Sequence, residues 1–356
     1  MIAPTLATRS VHLLGARGLL AGEFLRLLSG HPQLKLAGAY ARKATGTLGD
    51  SHPHLAAGMG GQSLLDASEL PACLAADDAP VLVLALPHGA SAPWWAEHGE
   101  ALQQQCPDLI VVDLSADFRL ESAEAYEATY GLPHPCPEEL GQWAYGLPEL
   151  HPLPQGCSRI AVPGCFATAL QLAIVPFARA GWLSTDSTWV VHGVTGSSGS
   201  GAVAKAGTHH PHRSMNFHAY GLEGHRHEAE LLAPRNGLPT DAPLDFTPHS
   251  APLSRGIHLH AVLPLAQPAN QDALAVIDAC YEAAPSIEVV SHAPQVREVA
   301  GSQRVQLHAY VRGQALHVLV ALDNTVKGGA GQALQALNLA LGFPETTALP
   351  LCGVGY

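Results

Sequence analysis

The chain has no run of about 20 apolar residues, the length a helix needs to cross a bilayer, so no membrane span is expected. It has no basic block either. Its 18 Lys and Arg stand against 30 Asp and Glu, for a formal charge of -12, which argues against sequence-independent nucleic-acid binding. The N-terminal stretch carries one Arg and only a short apolar run, Val11 to Leu14, before Gly15. Without a leader pattern, a cytoplasmic protein is expected. The seven cysteines, at 73, 106, 136, 157, 165, 280 and 352, are odd in number and include no C-x-x-C pair. That weighs against a disulfide framework and a Cys-rich zinc site, and most should be buried thiols acting as small hydrophobes. No internal repeat or low-complexity segment is present. What remains is 47% hydrophobic and only 13% charged, with 35 Gly and 28 Pro spread along 356 residues. Such a chain predicts an α/β protein of two domains, each able to bury a core.

Along the chain, the apolar segment Ser10-Val11-His12-Leu13-Leu14 runs into glycines at 15, 18 and 22. Phe24, Leu25, Leu27 and Leu28 then recur at helical spacing until Gly30-His31-Pro32 stops the helix. Further strands are predicted over 34–40, 81–86 and 109–114. Segments apolar on both faces and separated by crossovers build a parallel sheet. After Pro163 a helix is expected over 165–179 and a strand over 188–194. Segments 257–263, 305–311 and 316–322 predict a second, mixed sheet, and an amphipathic helix over 331–341 ends at Gly342 and Pro344.

The strand, glycine turn and helix around Gly15 and Gly18 form a context in which backbone N–H groups and a helix N-terminus hold a pyrophosphate, though an ordinary βα turn has the same spacing. The next strand ends at Tyr40 with Ala41, Arg42 and Lys43, not with the acidic residue that meets the ribose hydroxyls of NAD. Cations there favour a 2′-phosphate, hence NADP. Arg17 either joins them or lies on the surface.

In Val162-Pro163-Gly164-Cys165-Phe166-Ala167-Thr168-Ala169, a cysteine stands between a Pro-Gly turn and the start of a helix. The helix dipole and its open N–H groups favour thiolate, the nucleophilic form; the alternative is an inert buried thiol. A base is available in Gly224-His225-Arg226-His227-Glu228. Lone histidines in a chain with 21 of them are usually surface or satisfied core groups, and the pair His209-His210 raises a metal as another use. No Cys or acidic residue stands at recognisable ligand spacing, so no metal is expected.

These segments, in order, resemble the N-acetyl-gamma-glutamyl-phosphate reductases of the aspartate-semialdehyde dehydrogenase-like superfamily. The resemblance spans nearly the whole chain and rests on residues 15–23, Leu84-Ala85-Leu86-Pro87-His88-Gly89, Asp113-Leu114-Ser115-Ala116-Asp117-Phe118-Arg119, Tyr145-Gly146-Leu147-Pro148-Glu149-Leu150, Pro163-Gly164-Cys165, residues 196–201, Gly224-His225-Arg226-His227 and Asp323-Asn324-Thr325-Val326-Lys327-Gly328. It implies Cys165 as nucleophile and His225 as catalytic histidine. Arg119, Ser115, Ser198 and His227 become substrate contacts. Gly15, Arg17, Gly18, Arg42, Lys43, Pro87, Gly199 and Asn324 become cofactor contacts. Ala21 stands where the family commonly has Gly, Arg17 where it has a small polar residue, and Phe166-Ala167 where Tyr-Pro is frequent.

The resemblance further implies a Rossmann-type dinucleotide-binding domain, residues 1–163 with 327–356, and an α+β catalytic domain, 164–326, with a mixed, largely antiparallel sheet. The expected partners are NADP and a small-molecule acyl phosphate, in a homodimer or homotetramer. The expected reaction takes N-acetyl-L-glutamyl 5-phosphate to the 5-semialdehyde through a cysteine thioester, with amides at the helix start receiving the oxyanion. Two rivals stand beside it. One is the related reductase of carrier-protein-linked aminoadipyl phosphate in lysine biosynthesis, similar around His209-His210-Pro211. The other is a Cys/His hydrolase or acyltransferase without nicotinamide. From the residues alone, Arg119 is equally an ion-pair partner of Asp117 or Glu121, and the glycines near Ser198 equally a flexible turn.

Overall fold

The computed structural model describes residues 8–154, 156–239, 241–268 and 272–355. The first seven residues, on which the absence of a leader partly rested, lie outside the described residues.

The first sheet contains seven parallel strands: β1 (Arg9–Leu14), β2 (Leu34–Ala41), β3 (Leu65–Asp66), β4 (Val81–Leu84), β5 (Ile110–Asp113), β6 (Ala144–Tyr145) and β7 (Arg159–Ala161). All four residues of β4 and of β5 are buried, as expected of strands covered by helices on both faces. The order β3-β2-β1-β4-β5-β7-β6 reverses direction between β1 and β4. In open α/β sheets the crevice at such a point, beyond the carboxyl ends of the strands, is where ligands bind. Gly15 and Ala85 leave β1 and β4 there, tied by the Ala85 amide donating to the Leu14 carbonyl at 2.8 Å.

The C-terminal helix, Gly331–Ala340, packs into this core through Ala333, Leu334, Ala336 and Leu337. It departs from the amphipathic expectation, because residues 331 to 338 are all buried. Its glutamines face polar partners inside: Gln332 donates to the Gly146 carbonyl at 2.5 Å and Gln335 to Glu149 at 2.8 Å. A polar stripe here bonds to a second buried element and not to water.

The second sheet is mixed and mostly antiparallel. Its strands are β8 (Trp189–Thr195), β9 (His218–Ala219), β10 (Leu244–Ser250), β11 (Ile257–Pro264), β12 (Ile287–Val289), β13 (Val305–Arg312) and β14 (Ala315–Leu322), in the order β12-β13-β14-β11-β8-β10-β9. Along β11, buried and half-buried residues alternate. The buried face packs on the Cys165–Arg179 helix, which is itself buried without a break from Phe166 to Phe177. A polar tie binds this part to the first. Arg255 reaches Glu23 on the Leu19–Leu28 helix at 3.0 Å and Asp323 at 2.6 Å. Within the first part, Lys327 meets Glu149 at 2.5 Å, both essentially without solvent exposure.

Candidate active site

At the crevice, Gly15 has φ +88°, and a Cβ there would run into the Ala85 carbonyl. Only glycine fits. Gly22 is constrained from elsewhere: a Cβ on it would strike the His52 ring, whose Nε2–H donates to the Ala16 carbonyl at 2.7 Å. His52 thus props the glycine turn, a role no local sequence signal announced. The Leu19–Leu28 helix begins at Gly18 with no side chain capping it. Its first N–H groups are therefore available to an anion.

The cations predicted for a 2′-phosphate gather beside that turn. Arg42 and Lys43 are exposed. Arg17 donates to the Thr45 carbonyl at 2.5 Å and to Ser51 Oγ at 3.2 Å, so it lies over the loop that follows β2. Pro87, just after β4, is exposed at the same crevice. The cradle and its charge fit a dinucleotide.

Cys165 opens its helix, with Gly164 as an N-cap that lacks a side chain. The setting differs from the simple helix-terminus expectation. Burial pushes the thiol above its ordinary range, opposed by the Phe166 amide and then by the Arg119 and Arg226 guanidiniums. The helix end alone does not produce a thiolate; two arginines supplement it. Of the amides at this helix start, expected to receive an oxyanion, one is engaged by the protein itself. The Gly164 N–H donates to Glu230 Oε2 at 3.0 Å, so it is already taken.

Glu230 organises the floor of the site. It is fully buried and accepts from Gly164 N, from Tyr145 Oη at 2.8 Å and from Arg119 Nη1 at 3.2 Å. Arg119 therefore pairs with neither Asp117 nor Glu121. Asp117 accepts from His88 at 2.8 Å, and Glu121 from Arg235 at 2.8 Å. Ser115 is committed within its own turn: its hydroxyl donates to Asp113 at 2.7 Å and accepts from the Asp117 amide at 3.1 Å.

His225 and His227 stand edge to face with ring centroids 4.6 Å apart, and Phe166 packs its ring against His225 at 5.8 Å. Burial and the neighbouring Arg226 bring His225 down to about 4, so it is neutral at pH 7. Its Nδ1 accepts from the His227 amide at 3.3 Å, which leaves the proton of the neutral ring on Nε2. His227 is buried and held well below its usual range by the same burial. A Cβ on Gly164 would hit it. Across the thiol lies the π-helical turn Val326–Ala330, where a Cβ on Gly328 would sit 2.7 Å from that of Cys165. One residue back from that turn's N-cap, Asn324 accepts from the Gly256 amide at 2.6 Å and donates to Ser198 Oγ at 2.9 Å. This joins Ser198 and Asn324; Gly199 is exposed at the rim.

A Rossmann-like sheet feeding a cysteine-led helix at the junction with a mixed sheet matches a known pairing. The semialdehyde dehydrogenase NAD binding domain model matches residues 10–154, and the semialdehyde dehydrogenase dimerisation domain model matches 165–324. Solved aspartate semialdehyde dehydrogenases share the fold. The enzyme II of Vibrio cholerae, complexed with ASA, has TM-score 0.64 at 17% identity, covering 94% of this chain and 98% of that one. The Candida albicans enzyme with NADP has TM-score 0.62 at 14% identity, covering 94% and 99%.

Sequence relatives are nearer. A [LysW]-L-2-aminoadipate 6-phosphate reductase of Deinococcus radiodurans is 36% identical, covering 97% of this chain and 98% of the relative. An N-acetyl-gamma-glutamyl-phosphate reductase of Micrococcus luteus is 39% identical over 98% and 99%, and one of Rhodopirellula baltica 35% over 95% and 97%. The chain belongs to the semialdehyde dehydrogenase family, in the branch that holds these reductases, and is an oxidoreductase with an NAD(P)-binding domain.

Proposed function

We propose that the protein reduces N-acetyl-L-glutamyl 5-phosphate to N-acetyl-L-glutamate 5-semialdehyde, with NADPH as reductant and Cys165 as nucleophile. The observation that carries this reading is a thiol at an uncapped helix start, under the influence of two guanidiniums, in a chain with a dinucleotide cradle.

The Cys165 sulfur forms a bond to the acyl carbon as the bond from that carbon to the phosphate oxygen breaks, giving a thioester and inorganic phosphate. NADPH, when bound, supplies the hydride that reduces it. Arg226, exposed beside the thiol, and Arg119 on the Glu230 floor favour the sulfur anion and the departing phosphate. Neutral His225, with its proton on Nε2, is set to donate to the oxygen on which charge develops. Taking the thiol proton requires the other tautomer, and with it loss of the long bond from the His227 amide. When the carbon–sulfur bond breaks, the aldehyde departs and the thiolate re-forms.

Ser198 and Asn324 hold one rim of the cleft, and Gly15, Gly18, Arg17, Arg42, Lys43, Pro87 and Gly199 line the cofactor side. With this reading goes a division of the chain into a dinucleotide domain, 1–163 with 327–356, and a catalytic and dimerisation domain, 164–326. Of three buried clusters, two lie in the first part save for Val326, and the third gathers the catalytic part with Tyr145, Leu147 and Leu150, which supports the division in the main. A second reading, reduction of a carrier-linked aminoadipyl phosphate, is favoured by the Deinococcus radiodurans relative.

The test is absorbance-monitored oxidation of NADPH and NADH with each acyl phosphate. Turnover of the N-acetylglutamyl substrate with NADPH preferred is expected. Exclusive use of the carrier-linked substrate would transfer the protein to the second reading. Near-normal turnover by Cys165→Ser would remove the thioester route.

A further inference from the structure

Buried polar atoms without a hydrogen-bond partner are rare in folded proteins. Among the described residues, Arg119 Nε and Tyr130 Oη are two of them. Tyr130 ends the Ala123–Tyr130 helix, and nothing in its local sequence singled it out. Its ring packs against His88 at a tilt of 42°, with centroids 4.2 Å apart, and His88 is fixed by its 2.8 Å bond to Asp117, two residues before Arg119. Arg119 spends Nη1 on Glu230 and Nη2 on the Leu114 carbonyl at 3.3 Å, which leaves Nε unused. Both Glu230 oxygens are engaged, by Arg119 on one side and by Tyr145 and Gly164 on the other. They are not the missing acceptor.

The Tyr130 hydroxyl and the Arg119 guanidinium are near enough to act on each other's charge, and both orphans are donors, so a partner common to them is an acceptor. The charge balance selects an anion. Glu230 offsets Arg119, while Arg226 is exposed and, among the described residues, has no ion-pair partner. Burial and Glu230 raise the Tyr130 hydroxyl above its usual range, so it remains a protonated donor at any working pH.

We propose that Tyr130 Oη and Arg119 Nε form one receptor for an oxyanion of the substrate, with Tyr130 donating to an oxygen of its phosphate or its carboxylate. Tyr130 thereby becomes a substrate-binding residue of the acyl-phosphate reductase reading, on which this inference rests.

The test is Tyr130→Phe, which keeps the ring and its packing against His88, assayed in the reverse direction with N-acetylglutamate semialdehyde, NADP and inorganic phosphate. A hydrogen bond to a charged group predicts a KM rise on the order of tenfold for one anion, with kcat within about twofold and the NADP KM unchanged. A rise confined to phosphate identifies the phosphate oxygen; a rise confined to the semialdehyde identifies the carboxylate. No rise in either overturns the receptor. If the wild-type enzyme does not turn over these reactants, the function reading falls, and the receptor is then judged by alkylation. Inorganic phosphate or N-acetylglutamate should protect Cys165 from iodoacetamide in the wild type and less well in Tyr130→Phe. Equal protection in both overturns it.

Discussion

At the scale of single residues, the reactivity of Cys165 is a balance between burial, which raises the thiol, and the Phe166 amide with Arg119 and Arg226, which lower it. Arg226 is the most accessible of these to mutation, because it is exposed and, among the described residues, its side chain makes no hydrogen bond or ion pair. Arg226→Ala should move the midpoint of iodoacetamide alkylation at Cys165 to higher pH and slow the reaction at pH 7 several-fold, while Arg226→Lys restores most of the rate. An unchanged midpoint would remove Arg226 from the balance. His225 gives a second test. With its proton uptake near 4, an acid limb of kcat/KM near 6.5 is not expected from this group, and the profile should stay flat from pH 7 to about 5. A limb centred near 6.5 in the wild type and absent in His225→Asn would contradict the buried, neutral ring. The sequence made Cys165 and His225 visible through motif order. Glu230 stayed hidden, because a carboxylate in His-Glu-Ala-Glu looks like a solvated helix face. Its bond to Arg119 spans 111 positions, and such a contact leaves no local trace.

At the scale of elements, strands apolar on both faces, such as β4 and β5, were legible from hydrophobicity alone. The two-residue strands β3 and β6 are too short to carry any period. The C-terminal helix was placed correctly but assigned the wrong environment, since Gln332, Gln335 and Asn338 form a stripe that resembles a wet face. Gln335 adjoins the buried pair Lys327–Glu149, Gln332 donates to the Gly146 carbonyl, and Asn338 bonds His31 and the carbonyls of Glu345 and Thr347. Burial lowers Lys327, opposed by Glu149, and removal of one partner leaves a charge without compensation. Breaking such a pair costs about 3–5 kcal/mol, whereas replacing both partners by apolar groups is often near neutral. Glu149→Gln should therefore lower the urea midpoint clearly, and the double variant Glu149→Leu with Lys327→Met should recover most of it. A double variant no more stable than Glu149→Gln would show that the pair supports the π-helical turn by more than charge balance. The same turn makes Gly328→Ala a kinetic test. Its methyl group would press on Cys165, and kcat should fall at least tenfold with little change in NADPH affinity.

At the scale of the molecule, the second sheet has one face in the core and one face that is half-exposed in the single chain. On that outer face His192 of β8 lies opposite His260 of β11, and Tyr310 of β13 opposite His317 of β14. His260 and His317 are in hydrogen-bond contact at 3.0 Å, and the rings of Tyr310 and His317 stack at 4.7 Å. His258, His308 and His249 complete the ladder, with Arg312 at one end, Asp245 on β10 and Glu288 on β12, opposite Gln306, among the charged groups beside it. The face lies within the segment matched by the dimerisation-domain model, so a second copy is the expected cover. Burial already lowers His258, His260 and His317 from 6.5 in the single chain. For histidines with lowered native values, the exposed state takes up protons first as pH falls through 6.5, so association and stability are present above that value and lost below it. Light scattering should show an oligomer at pH 8 that weakens by pH 5.5, and the double variant His260→Asn with His317→Gln should flatten that dependence. An oligomer equally tight at pH 8 and pH 5.5 would mean that the histidine face stays open and the copies pair elsewhere.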